Sequence, residues 1–136
     1  IEEFGKNNLH YIKIIEILSD MYYYIGYYEK SKSIIKESVK IQEKIFSKDT
    51  FNYAVSLKKL GLIYMMEEKY EKANYFFEES MKIKNKLSMN KHPEYAELLI
   101  SIAKLNIKIG KYDIINVIIE EALKILENVF ENNHIQ

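Results

Sequence analysis

Displaced against itself by 42 positions, the chain matches itself twice over. Tyr11, Tyr53 and Tyr95 coincide, as do Leu18, Leu60 and Ile102, then Tyr28, Tyr70 and Tyr112, then Ile41, Ile83 and Ile125. The longest match sets Glu78-Glu79-Ser80-Met81-Lys82-Ile83 against Glu120-Glu121-Ala122-Leu123-Lys124-Ile125, with Lys36-Glu37-Ser38-Val39-Lys40-Ile41 as the first copy. Aromatic, small and branched residues that fall in one register three times restrict the chain to an array of like units. Each unit completes its core only against a neighbour.

Every copy divides into two amphipathic stretches. In the middle copy Leu57, Leu60, Gly61 and Tyr64 are spaced by three and four, and Tyr70, Ala73, Phe77, Ser80, Met81 and Ile83 form a second such stripe. The slot between the stretches holds Gly26, Glu68 and Gly110, and glycine there can take the left-handed conformation that ends a helix. Asn8, Thr50, His92 and His134 share the slot before the first stretch; Asn and Thr are good N-caps, and Pro93 suits a first helical position. The pattern predicts helices near 9–25, 28–46, 51–67, 70–88, 93–109 and 112–131, paired into hairpins. Small residues at Ser19, Gly61 and Ala103, at Ser31 and Ala73, and at Ser38, Ser80 and Ala122 let neighbouring helices approach closely.

Composition narrows the function. The 20 basic residues are all lysine and are balanced by 20 Asp plus Glu, which argues against binding nucleic acid, whose phosphates select clustered positive charge and guanidinium groups. There is no cysteine, so disulfides and thiolate metal sites are impossible. One proline and four glycines argue against a turn-rich β-architecture. No apolar run reaches the roughly 18 residues of a membrane-spanning helix, so no membrane partner is expected. His10, His92 and His134 are too far apart in the repeat to converge on a metal, and no phosphate loop or nucleophile motif is present. The acidic residues Glu37, Glu78-Glu79 and Glu120-Glu121 beside lysines read as a solvated face with i,i+4 ion pairs. The expectation is a protein that is not an enzyme and needs no cofactor.

Leu57-x-x-Leu60-Gly61-x-x-Tyr64 followed by Tyr70-x-x-Ala73-x-x-x-Phe77-x-x-Ser80 resembles the tetratricopeptide repeat, in the 42-residue form of kinesin light chains. His92-Pro93-Glu94-Tyr95-Ala96 is similar to the linker and helix start of that form. The resemblance implies an all-α, right-handed α-solenoid of three stacked antiparallel hairpins. Residues 9–50, 51–92 and 93–134 would be the repeats, and 1–8 the end of a preceding repeat with its linker. The third copy departs most, with Asn106 at the Tyr64 slot and Ile115 at the small Ala73 slot. Ile1 to Gly5 and His134-Ile135 register inside further copies, so the chain is expected to be a piece of a longer array whose uncapped ends pair end to end.

The resemblance also implies a concave groove lined by the first helix of each hairpin. Its slots fall on Lys13, Glu16, Asp20, Tyr23 and Tyr24 in the first copy and on Val55, Lys58, Leu62, Met65 and Met66 in the second. In the third they fall on Glu97, Ile100, Lys104, Ile107 and Lys108. Such a surface, apolar and methionine-rich at its centre, suits a protein or peptide partner in extended or helical form. The alternative is that Tyr23, Tyr24, Met65 and Met66 pack within or between repeats. The paired asparagines of kinesin light chains are absent, their slots holding Glu16-Ile17, Lys58-Lys59 and Ile100-Ser101, and the carboxylate clamp of chaperone-binding relatives is absent too. The run Met21-Tyr22-Tyr23-Tyr24-Ile25-Gly26-Tyr27-Tyr28 is either an aromatic platform or packing. The leading expectation is a cytoplasmic interaction scaffold. The alternative is the peptide-sensing half of a bacterial regulator.

Overall fold

The computed structural model describes residues 8–135, without the side chains of 133–135. Among the described residues six helices follow one another: α1 (Leu9–Tyr24), α2 (Tyr28–Ile45), α3 (Phe51–Met66), α4 (Tyr70–Lys86), α5 (Pro93–Ile109) and α6 (Ile115–Ile135). Among the described residues there is no strand. Each odd-numbered helix packs against the even one that follows it, and α2 against α3 and α4 against α5 join the hairpins in sequence. The chain is an α-solenoid. The register of residues 1–7 with a preceding repeat lies outside the described residues.

The helix starts are local chemistry. Asn8 and Thr50 accept the amides of Tyr11 and Tyr53 at 2.9 and 3.1 Å, and His92 Nδ1 accepts that of Glu94 at 3.0 Å, with Pro93 opening α5. Each satisfies an amide that the first turn leaves unbonded. The slot between helices is left-handed in all three hairpins, with φ of 88° at Gly26, 62° at Glu68 and 81° at Gly110. Glu68 therefore adopts a conformation that glycine holds without strain.

The third hairpin differs. The spacing of Tyr112 predicts a helix from 112, yet α6 begins at Ile115 and runs to Ile135, past the predicted end at 131. At that slot Ser31 and Ala73 are fully buried within their hairpins, whereas the bulkier Ile115 is only half-buried and the preceding residues form a turn. A branched side chain does not fit where a small one closes the helix pair, so the helix starts later. Helix α6 also continues through His134, where the register with His92 predicts a linker.

One apolar cluster threads all three hairpins, running from Ile35 through Leu60, Ile63, Tyr64, Met65, Ala73 and Phe77 to Leu98 and Leu105. Small slots close it. Ser19 and Ser31 each donate a hydroxyl to the other's carbonyl, at 2.9 and 2.8 Å, and Ser80 donates to the Ala54 carbonyl at 2.6 Å. The two end faces of the stack remain uncovered among the described residues. On α1, Ile14, Leu18 and Met21 are exposed, although they hold the slots of Ser56, Leu60 and Ile63, which are buried in α3. On α6, Leu123 and Leu126 are exposed, while Gln42 and Lys84 at the Leu126 slot are buried.

Candidate functional site

The expected groove residues are placed differently from one another, and Lys58 both lines a pocket and is buried. Asp20, Tyr23, Tyr24, Lys58 and Leu62 come together around one pocket of about 140 Å³ between α1 and α3, with Ser19, Ser31, Lys59 and Ile63 completing its wall. Tyr23 and Tyr24 meet edge to face at 5.5 Å, and Tyr24 is 83% exposed. Burial, then the neighbouring Tyr28 and Tyr24, raises the pKa of the Tyr23 hydroxyl, so it remains a protonated donor. Lys13, Met66, Glu97, Lys104, Ile107 and Lys108 are exposed, and Val55 and Ile100 are half-buried. Glu16, Lys58 and Met65 are buried, Met65 within the apolar cluster itself.

Six charged residues of the groove helices, Glu16, Asp20, Lys58, Lys59, Glu94 and Glu97, are engaged with one another across the hairpin junctions. Glu16 accepts the hydroxyl of Ser38 at 2.5 Å and that of Ser56, and Gln42 Nε2 bridges to Ser56 at 2.8 Å. Lys59 reaches Glu16 at 3.4 Å and Asp20 at 3.2 Å. At the next junction Lys58 pairs with Glu94 at 3.1 Å and Glu97 at 3.4 Å. Lys84, wholly buried, donates to the Glu94 carbonyl at 3.1 Å and carboxylate at 3.3 Å. A buried carboxylate or ammonium is tolerated only when paired and hydrogen-bonded, and these are. Burial lowers the pKa of Lys84. Burial works against ionisation of Glu94, but its hydrogen bond with Glu97 and the Lys58 and Lys84 ammoniums hold its carboxyl at about 2.

These junction partners escape periodicity, which marks apolar faces and says nothing of which polar residues will meet. One signal does exist: Gln42, Lys84 and Leu126 share a slot, and a polar residue in two of three copies of a core-facing position requires a buried partner. The tyrosine run divides in two. Tyr22 stacks on Tyr27 at 6.2 Å beneath Lys30, while Tyr23 meets Tyr28 at 5.7 Å and packs on the core. The acidic faces also differ from the i,i+4 expectation. Glu79 pairs with Lys82 at i,i+3, Glu37 accepts the Tyr11 hydroxyl, and Glu78 accepts the Asn74 amide.

A second, larger cleft of about 430 Å³ opens between α2 and α4. Val39, Leu57, Phe76 and Ile83 line its apolar part. Tyr53 donates to Glu43 there at 2.6 Å, and burial followed by that carboxylate raises the tyrosine pKa. No group of three His, Asp or Glu is placed to hold a metal ion among the described residues, and none of their helices is long and apolar enough to cross a membrane.

Helix hairpins that succeed one another along the chain, joined by side chains from adjacent first helices, define a helical-repeat solenoid. The tetratricopeptide repeat model matches residues 11–86, more than half of the chain, and the chain belongs to the tetratricopeptide repeat family. Its fold is similar to that of BtubC (BKLC) from P. vanneervenii, with a TM-score of 0.78 and 20% identity over 86% of this chain and 46% of that one. It is similar as well to the nearly identical TPR-like repeats of a kinesin light chain-type protein from Podosopora anserina. One crystal structure of those repeats gives a TM-score of 0.69, with 20% identity over 90% of this chain and 55% of the other. The chain thus spans about half the length of these structures, and at such identity the likeness is one of fold. No curated protein matches it. Tetratricopeptide repeats generally mediate protein–protein interactions.

Proposed function

We propose that the concave face binds a peptide, extended or helical, and seats one of its apolar or aromatic side chains between Tyr23, Tyr24 and Leu62. The observation that carries this reading is the pocket where five expected groove residues meet, Asp20, Tyr23, Tyr24, Lys58 and Leu62. Its 140 Å³ is well below the roughly 300–1,000 Å³ of small-molecule sites and suits a single anchoring side chain. Exposed Met66 and Ile107 continue an apolar track along α3 and α5. The Asp20–Lys59 pair at the pocket edge offers one charge of each sign to a peptide backbone. In this reading the chain is a scaffold without chemistry of its own.

Peptides selected from a displayed library on this chain test the reading. Tyr24→Ser and Met66→Ser should each weaken a selected peptide by about tenfold, the loss of an apolar anchor. Both side chains are exposed, so the melting temperature should stay unchanged. Unaltered affinity in both variants would overturn the groove.

The exposed Ile14, Leu18 and Met21 support a second reading, end-to-end association of copies. Their slots in α3 are closed by the neighbouring hairpin, and Leu123 and Leu126 offer an apolar face at the other end. Light scattering should then report a mass that rises with concentration and falls in Leu18→Lys. A constant monomer mass at millimolar concentration would contradict it.

A further inference from the structure

Away from the groove, where α2 meets the end of α3 and the start of α4, four lysines converge on one aromatic ring. The Nζ atoms of Lys32, Lys36, Lys69 and Lys72 lie 5.3, 5.8, 6.0 and 5.4 Å from the centre of the Tyr64 ring. Tyr64 is buried and stacks on Phe76 at 5.5 Å with an interplanar angle of 5°, so the ring is held in place. Each ammonium is attracted to the ring, but ammoniums that share one ring repel one another.

Compensation is partial. Glu67 takes Lys32 at 2.9 Å and Lys69 at 3.9 Å, and Glu29 takes Lys32 at 2.9 Å. Lys36 and Lys72 have no carboxylate within ion-pair distance among the described residues. Four cations against two carboxylates leave two positive charges in a chain whose formal net charge is zero. The Tyr64 hydroxyl makes no hydrogen bond among the described residues, and it is not a buried orphan, so it reaches solvent at the edge of the ring that the lysines surround.

Packing of the repeat does not call for the arrangement. The Lys32 slot holds Asn74 and Asn116 in the later copies, and the Lys36 slot holds Glu78 and Glu120. At the Tyr64 and Lys72 slots the first copy keeps Tyr22 and Lys30, 5.4 Å apart, but the third has Asn106 and Ile114. The full cluster belongs to one junction of the array.

We propose that this cluster is a binding site for a phosphate-type dianion, with Lys36, Lys69 and Lys72 as charged donors and the Tyr64 hydroxyl as a neutral one. A tetrahedral dianion matches both the uncompensated charge and the number of donors, and charge-assisted hydrogen bonds to ammoniums are the strong kind. The site shares no residue with the groove pocket, and it stands or falls apart from peptide binding.

The test follows the Tyr64 ring protons by NMR during titration with inorganic phosphate at constant ionic strength, with chloride as the balancing anion. Wild type should give a saturable shift. Lys36→Gln/Lys72→Gln should bind phosphate at least about tenfold more weakly, while Lys111→Gln/Lys124→Gln, which removes the same charge elsewhere, should bind as wild type does. No saturable shift, or equal weakening in both double variants, would overturn the site. A parallel titration with phosphoserine amide and serine amide separates two sources of the dianion. Tighter binding of phosphoserine amide than of inorganic phosphate assigns the site to a phosphorylated side chain, and equal or weaker binding assigns it to the free ion.

Discussion

A Cβ at position 61 would lie 2.5 Å from Cε1 and 2.6 Å from Cδ1 of Phe77, so Gly61 and Phe77 form one fitted pair at the centre of the stack. The equivalent pairs are Ser19 with Ile35 and Ala103 with Ile119. A ring occupies the space of a side chain only where the opposite helix has none to offer.

Gly61→Ala therefore forces Phe77 off its seat, at a cost of about 1–3 kcal/mol for overpacking, against about 1 kcal/mol gained in helix propensity. Net destabilisation is expected. In a Phe77→Ile background the sign should reverse, because the smaller side chain leaves room for the methyl. Urea unfolding of the four proteins in this double-mutant cycle measures the coupling.

Glu68 holds φ of 62° in the slot where Gly26 and Gly110 hold 88° and 81°. Relief of left-handed strain, worth roughly 1–2 kcal/mol, should exceed the entropy that glycine adds to the unfolded chain. Glu68→Gly is expected to raise stability by about 0.5–1 kcal/mol. A higher urea midpoint with an unchanged slope would establish this, and a lower midpoint would contradict it.

Lys84 is fully buried against Glu94. Replacing the ammonium alone by an apolar side chain of similar length, Lys84→Met, takes one of two cations from Glu94 and should lower stability, though by less than loss of the carboxylate because Lys58 still pairs with it. Glu94→Ala, which strands two ammoniums, should cost about 3 kcal/mol, and less when Lys84→Met is also present. Thermal unfolding of the three variants distinguishes the pair from its parts.

Acid should act through the same junction. Glu94 titrates at about 2 in the folded chain, below its ordinary 4.5, so its ionised form stabilises the fold above pH 4.5 and that contribution is lost as pH falls toward 2. Glu94→Gln should flatten the loss of stability across this window. Unfolding free energies measured between about pH 5 and pH 2 for both proteins check the difference.

Periodicity and capping chemistry make most of the fold legible in the sequence, because Asn8, Thr50 and His92 act on amides two or three residues away. The left-handed slot is readable at Gly26 and Gly110 from the residue type, whereas at Glu68 only the shared register points to it. The start of α6 is not, because Tyr112 keeps the register while Ile115 spoils the packing, and packing is not local. In the groove, the slots of Glu16 and Lys58 are identifiable, but their burial is not. Whether a charge faces solvent or a partner depends on Ser56 and Glu94, each about 40 residues further along the chain. The lysine ring around Tyr64 draws on two hairpins and leaves no mark in the spacing of either.

Partner binding by the chain depends, in the proposed function, above all on the concave face. Backbone NMR shifts of the labelled chain, recorded as a library-selected peptide is added, test it most directly. The largest changes should fall on Tyr23, Tyr24, Leu62, Met66 and Ile107, along α1, α3 and α5. Changes confined to the cleft between α2 and α4, around Glu43, Tyr75 and Glu79, would contradict it.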